Sequence, residues 1–503
     1  MRKRNRMRAL RRGTLACTVI GALLAVDGRA AQPDRDWIRL RTDPALLLFP
    51  QLPAPLRGVP APAATRATLP VTRCDDAGPG SLRDVVASAQ DSDVVDLTAL
   101  TCSTITLTTG AIEIPVDNLS LQGPERRTLV IDGDGSDRVL FHPHGGALTV
   151  RNLTLRNGRA TAEGNRITGG GCIASAGFVV LQDSRVSGCS SAAVGSYGGG
   201  IYAYSLTMER STLSANSAGG VHPAASTAAF GGGAFVYTME LRQSTVSDNL
   251  AWHEGDPAFS NYDIGGGIVS VRDGYLLDST VSGNRSLGRG GGLATFTGLA
   301  VINSTISGNV AERDIAGGMF VRRPAILRLY SSTVTANRSL LDGGGIWLNA
   351  PGSAFHGSIV SGNSSDVGNR DNRFGSAPIA SPIDGSHNLI GSTAPLTEPP
   401  ADTLRIDARL GALASNGGRT RTHALLDGSP AIDAGSNHAA LATDQRGLPR
   451  VYGAAPDIGA FERQGDIVAE AQPVPGISMR AMLLLAGLLG FAGMRRALQL
   501  RRR

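Results

Sequence analysis

From about Leu148 to Asn363 the chain repeats one phrase, and that repetition restricts its fold more than any other feature. A glycine run and alternating apolar residues lead to a closing Ser-Thr-Val/Ile/Leu-Ser-x-Asn. The copies read STLSAN (211–216), STVSDN (244–249), STVSGN (279–284), STISGN (304–309), STVTAN (332–337) and SIVSGN (358–363). Glycine runs begin at 198, 231, 265, 290, 317 and 343. The closing asparagines, Asn216, Asn249, Asn284, Asn309, Asn337 and Asn363, lie 33, 35, 25, 28 and 26 residues apart. A period of this size with strand-like alternation inside it marks a stacked solenoid.

The 503-residue chain is only 5% aromatic and holds 65 glycines, a composition suited to short strands and tight turns. Its formal charge of +6 comes from the ends. Residues 1–30 and 480–503 carry 14 of the 48 basic residues and one of the 42 acidic ones, leaving 34 against 41, a net −7. An acidic body repels phosphate, so nucleic acid is excluded as a partner. Residues 1–30 read as a secretory signal: a basic start, an apolar stretch from Leu15 to Val26, and Gly28-Arg29-Ala30 before the expected cleavage. Export leaves four cysteines, Cys74, Cys102, Cys172 and Cys189, an even number that suggests two disulfides. Of three connectivities, the local one (74–102, 172–189) is the simplest. No zinc spacing accompanies them.

Residues 31–70 are rich in Pro, Ala and Arg and read as an extended spacer. The segment 71–400 is expected to be the solenoid. It opens on a short helix at SLRDVVASA, N-capped by Ser81, which would cover the open end of the stack. Alternating strands begin at Ser103, with turns too short for crossover helices. Three short strands per repeat match one coil of a parallel β-helix. In the second full repeat Leu206, Met208 and Leu213 should point inward, while Thr207, Glu209 and Ser214 face solvent. Glycine runs permit positive φ and close backbone approach. The closing asparagines tolerate the left-handed region and can hydrogen-bond to one another down the stack. That placement accounts for the Asn-x-Ser/Thr sequons at Asn284, Asn337 and Asn363 without glycosylation.

Inserts at 217–230 and 250–264 break the rhythm, as does 364–400, and such loops often shape a binding surface. The second insert gathers Trp252, His253, Glu254, Asp256, Phe259 and Tyr262. Flat rings beside carboxylates suit a sugar, so Trp252, His253, Glu254, Asp256 and Tyr262 form the candidate ligand-binding loop. The bland alternative is a loop that packs its own aromatics onto the coil. Asp132, Asp134 and Asp137 are weak candidates for calcium, because the calcium-loop glycine and closing glutamate are missing. His142 and His144 should share one face of a strand, toward solvent. No paired carboxylates recur at coil spacing, so no catalytic residue and no required cofactor are assigned.

Three stretches resemble known families. CDDAGPGSLRDVV, TITLTTGAIEI and NLTLRNG, with the repeats, resemble bacterial secreted right-handed parallel β-helix proteins of the pectate-lyase-like and polymorphic-outer-membrane-protein type. Residues 415–462 look like the choice-of-anchor Q domain, so 401–465 is read as that region. The match rests on Asn416-Gly417-Gly418, Thr422-His423, Gly428-Ser429-Pro430-Ala431-Ile432-Asp433-Ala434-Gly435, Asp444-Gln445-Arg446-Gly447 and Asp457-Ile458-Gly459-Ala460-Phe461-Glu462. After a linker (466–479), the tail 480–503 is similar to the PEP-CTERM and IPTL-CTERM sorting signals, although Gly476-Ile477 departs from both. Its apolar run, Ala481 to Met494, spans about 21 Å as a helix. The arginines around it place the C-terminus in the cytoplasm.

These resemblances imply an all-β, single-stranded right-handed parallel β-helix with an N-terminal capping helix and a C-terminal hydrophobic anchor helix. They imply an exported protein of a Gram-negative cell envelope or surface, anchored through its tail or released after processing by a sorting peptidase. The expected role is non-catalytic display or adhesion, with an extracellular glycan or matrix as partner. The alternative is a polysaccharide lyase or glycosidase acting on an acidic polysaccharide, with calcium as a possible cofactor. Fold alone does not choose between them.

Overall fold

The computed structural model describes residues 66–465 apart from 126–128, 161–168, 193–194, 222–227, 255–262, 323, 349–351, 368–372, 375–382, 392–398 and 401. The secretory signal, most of the spacer, the linker, the sorting tail, Asp256, Phe259 and Tyr262 lie outside the described residues.

One coil shows how the repeat folds. Ile268–Ser270 and Asp273–Leu277 lie in sheet 1, Thr280–Ser282 in sheet 2 and Arg285–Ser286 in sheet 3. The next coil stacks on it in parallel, with Ile268 opposite Leu293, Leu276 opposite Val301, Val281 opposite Ile306 and Ser286 opposite Ala311. The three sheets hold 20, 11 and 8 described strands, giving a parallel β-solenoid of about ten turns. Alternation sends every second side chain inward. In sheet 2 this builds a column of Val186, Leu213, Val246, Val281, Ile306, Val334 and Val360, all fully buried. Leu206 and Met208 are buried as well, as the alternation predicts. Ser214, expected to face solvent, is instead covered, with only 4% exposed and the Arg185 guanidinium donating to its hydroxyl at 3.1 Å.

Two sharp bends per coil have a common construction. The bend from sheet 1 to sheet 2 uses one left-handed residue, Asp183, Arg210, Gln243, Asp278, Asn303 or Ser331, with φ between 43 and 51°. A buried serine follows each, and its N–H donates to the serine hydroxyl of the next coil. This ladder runs through Ser184, Ser211, Ser244, Ser279, Ser304, Ser332 and Ser358 at 3.0–3.2 Å. The bend from sheet 2 to sheet 3 turns at Ala215, Asp248, Gly283, Gly308, Ala336 or Gly362.

The closing asparagines therefore do not themselves adopt the left-handed conformation expected of them; the residue before each does. This leaves the amide free to point inward. The Asn284 side chain donates to Asn309 Oδ1 at 2.9 Å, and Asn309 donates to Asn337 Oδ1 at 2.9 Å. The ladder runs from Asn216 to Asn363. Buried polar groups must be paired, and here each one pairs with its own copy in the next coil.

At the third corner the glycine run crosses behind sheet 3. Gly265 has φ +71°, and a Cβ on Gly266 would lie 2.3 Å from the carbonyl oxygens of Arg285 and Gly291. Only hydrogen fits there. The inward column of sheet 3 is correspondingly small: Ser191, Ala218, Ala251, Ser286, Ala311 and Ser339.

The first described strand, Thr68–Pro70, pairs with Val94–Asp96, so coil structure begins inside the segment expected to be spacer. Leu82–Ser88 is the single α-helix among the described residues. The Ser81 hydroxyl accepts from Asp84 N–H, and Leu82, Val85 and Val86 are buried against the first strands. Two disulfides join Cys74 to Cys102 and Cys172 to Cys189, the local pairing. Cys189 also heads the asparagine ladder, its N–H donating to Asn216 Oδ1 at 3.0 Å.

Residues 402–465 fold back over the outer face of sheet 2. The Thr280 hydroxyl donates to Arg421 O (2.7 Å), and the Thr305 hydroxyl donates to the Gln445 side chain (2.6 Å). Ser307 meets His423 Nε2 (2.8 Å), and Ala460 N–H donates to the Thr333 hydroxyl (3.1 Å). Ile359 and Leu389 pack on Ala408, Leu425, Ala431, Ile458 and Phe461. Within this cover, Asp444 accepts from Arg446 and from Glu462 N–H, and Arg446 lies 3.7 Å over the Phe461 ring. Glu462 accepts from the N–H groups of Tyr452 and Asp457, and burial pushes its carboxyl up to about 7.

Candidate functional site

The second insert departs from the sequence in an extended strand, Leu250–Glu254, paired with Ser217–Val221. Strand alternation splits the expected ligand-binding residues. Trp252 and Glu254 face outward, whereas His253 turns in and is 2% exposed. His253 Nδ1 meets the Asp263 carboxylate at 2.9 and 3.0 Å, and Asp263 Oδ1 also accepts from Ala229 N–H. Burial raises the Asp263 pKa against the opposing effect of these donors. This pair closes the base of the insert, so His253 is not a surface ligand residue. Of the five residues proposed for the loop, the structure keeps Trp252 and Glu254 on the surface and places His253 inside. Asp256 and Tyr262 fall outside the described residues.

Trp252 lines an open groove of about 550 Å³ on the outer face of sheet 3. Ser190 and Ser217 lie along its floor, Gly219 opposite Trp252 leaves room, and Arg159 stands at the far end. Arg159, Ser190 and Ser217 occupy one outward column in register, continued by Leu250, Arg285, Val310 and Arg338. Arg285 is paired with Glu312 and Arg338 with Asp366. Arg159 is exposed, and its guanidinium has no partner among the described residues. No Asp, Glu or His lines the groove among those residues. An aromatic face, hydroxyls and a free cation can hold a sugar, but such a set offers no acid–base pair.

The remaining candidates are engaged elsewhere. Asp132 accepts from Arg156 (2.7 Å), Asn157 and Asp134 N–H; burial would raise its pKa, but these donors together hold it below the usual value. Asp137 accepts from Ala111 and Arg138 N–H, and Asp134 is an exposed left-handed turn residue (φ 53°). Among the described residues no three acidic, His or Cys groups converge as a metal site. His142 departs from the solvent face expected for it. It is fully buried, bonded to Ser175 (2.8 Å) and to Asp117 O (3.0 Å), because alternation turns it to the inner face shared with Leu140, and His144 lies beyond the strand's end.

The outer face of sheet 1 carries Tyr204 stacked on Tyr237 (5.4 Å) and Tyr202 on Phe235 (5.9 Å). Arg159, Ser190 and Ser217 were not singled out from the sequence. Their signal is positional: Ser217 directly follows a closing asparagine, Arg159 and Ser190 hold the equivalent place, and that place points outward from sheet 3.

No family model and no curated protein matches the sequence. Among solved structures the chain is similar to pectate lyase Pel9A, with 16% identity and a TM-score of 0.37 over 80% of this chain and 97% of that one.

Proposed function

We propose that this is an exported, envelope-anchored surface protein that holds a glycan or matrix chain in the sheet 3 groove without cleaving it. One observation carries the reading: Trp252 lines a groove with Ser190, Ser217, small residues and Arg159, and no acidic or imidazole group lines it among the described residues. A glycosidase needs two carboxyl groups flanking the bond, and a lyase needs a base at the sugar. The resemblance of 401–465 to the choice-of-anchor Q domain supports surface attachment, as does the apolar tail. In this reading the segment covering sheet 2 is the fixed base from which the chain continues to its anchor, and a sorting peptidase acts on the tail.

A glycan array with the mature chain and with Trp252→Ala tests the proposal. Binding that Trp252→Ala reduces at least tenfold, with unchanged folding by circular dichroism, is the expected result. Release of unsaturated uronides from an acidic polysaccharide, dependent on calcium, would replace it with the lyase alternative.

A further inference from the structure

We propose that Arg159 makes the groove selective for an oligosaccharide that carries an anionic substituent, a carboxylate or a sulfate, several sugar units away from the ring stacked on Trp252. The inference rests on the glycan reading of the groove and adds the chemistry of its ligand. Three arginines of the same outward column can be compared directly. Arg285 and Arg338 are paired with Glu312 and Asp366 from the neighbouring column, whereas Arg159 lines the groove and makes no ion pair with a described residue. The body of the chain carries a net −7, and Arg159 is the one cation lining the groove among the described residues. A planar guanidinium binds carboxylate or sulfate oxygens through two parallel N–H donors.

Geometry sets the length of the ligand. Arg159 and Trp252 are three coils apart, roughly 14 Å at the strand spacing. No single pyranose reaches both. The Ser190 and Ser217 hydroxyls lie between them and face the sugar hydroxyls of the intervening units. The binding is independent of divalent metal, since the cation is supplied by the side chain.

The test uses one polymer in four forms: chondroitin sulfate, its desulfated form (carboxylate only), its carboxyl-reduced form (sulfate only) and the doubly treated neutral chain. Binding of the mature full chain is measured in EDTA. The expected result is at least tenfold preference for an anionic form over the neutral chain, and the two singly treated polymers identify which anion is read. Arg159→Gln, folded as the parent by circular dichroism, is expected to erase that preference, and Arg285→Gln, outside the groove, to leave it intact. Equal affinity for neutral and anionic chains, or a preference that survives Arg159→Gln, overturns the inference. If Trp252→Ala changes no binding at all, the groove reading itself fails; if it abolishes binding while Arg159→Gln keeps the preference, the groove stands and the charge assignment falls.

Discussion

Replacing Asn309 tests the internal ladder most directly. Its side-chain oxygen accepts from Asn284 N–H (3.0 Å) and from the Asn284 amide (2.9 Å). Its own amide donates to Asn337 Oδ1 (2.9 Å) and Val281 O (3.0 Å), and the residue is fully buried. In Asn309→Ala both Asn284 donors lose their acceptor and Val281 O loses its donor. At about 1–3 kcal/mol per unsatisfied buried group, with partial relaxation, the loss should be about 4 kcal/mol. Asn309→Asp separates hydrogen bonding from volume. It keeps one acceptor oxygen but turns the other toward Asn337 Oδ1 and Val281 O, placing a charge among acceptors. At pH 7 it should therefore cost more than alanine. The folded-state pKa of that aspartate lies above its unfolded value of about 3.9, because neither burial nor these neighbours favour the anion. Its destabilisation should shrink as pH falls from neutral through the raised folded value, where the protonated acid regains a donor. Urea unfolding followed by far-UV circular dichroism measures the loss, and hydrogen exchange around 281–337 localises it, since solenoids can open piecewise. An alanine cost below about 1 kcal/mol, or an aspartate variant at pH 7 no worse than alanine, would refute the argument.

Other outcomes follow from the same geometry. Ser304→Ala removes the acceptor for Ser279 N–H and should cost about 1–2 kcal/mol by urea unfolding. Removing both cysteines of the 74–102 or the 172–189 disulfide should cost about 3–4 kcal/mol, read from the same transitions, because the bridges close chains separated by 28 and 17 residues. Glu462, with its folded pKa near 7 above the ordinary 4.5, favours the folded cover most below pH 4.5, and that contribution is lost as pH rises through 7. Hydrogen exchange of 402–465 should show protection falling by about 3 kcal/mol between pH 5 and 8 relative to Glu462→Gln. Gly266→Ala, whose Cβ meets two carbonyl oxygens, should prevent regular stacking at that coil and give little folded protein on size exclusion.

The coil was legible because its period, its alternation and its polar corners all derive from local backbone geometry repeated along one axis. Val246, Val281 and Ile306 had to fall in register once the closing phrases did. What escaped depends on contacts between distant segments. Nothing local to His253 reveals that Asp263, ten residues on, holds its buried ring. Nothing in the string Ser-Thr-Val-Ser shows that its first serine builds a second ladder, because serine and asparagine corners look alike until the left-handed residue before each is seen. The Gln445 and His423 contacts bridge more than 100 residues, so the sequence marked those motifs as distinctive without showing what they grip. Arg159 became conspicuous only beside the paired arginines of its own column.

Because serine and asparagine rungs fasten two corners of every coil, long insertions go elsewhere, into the passage between sheet 3 and the next glycine run. The two long spacings of 33 and 35 residues are absorbed there, while differences of one or two residues fall between the two strands of sheet 1. The body thus works as a scaffold with one seam for long insertions, along which foreign peptides could be grafted in a row with a pitch of one strand spacing.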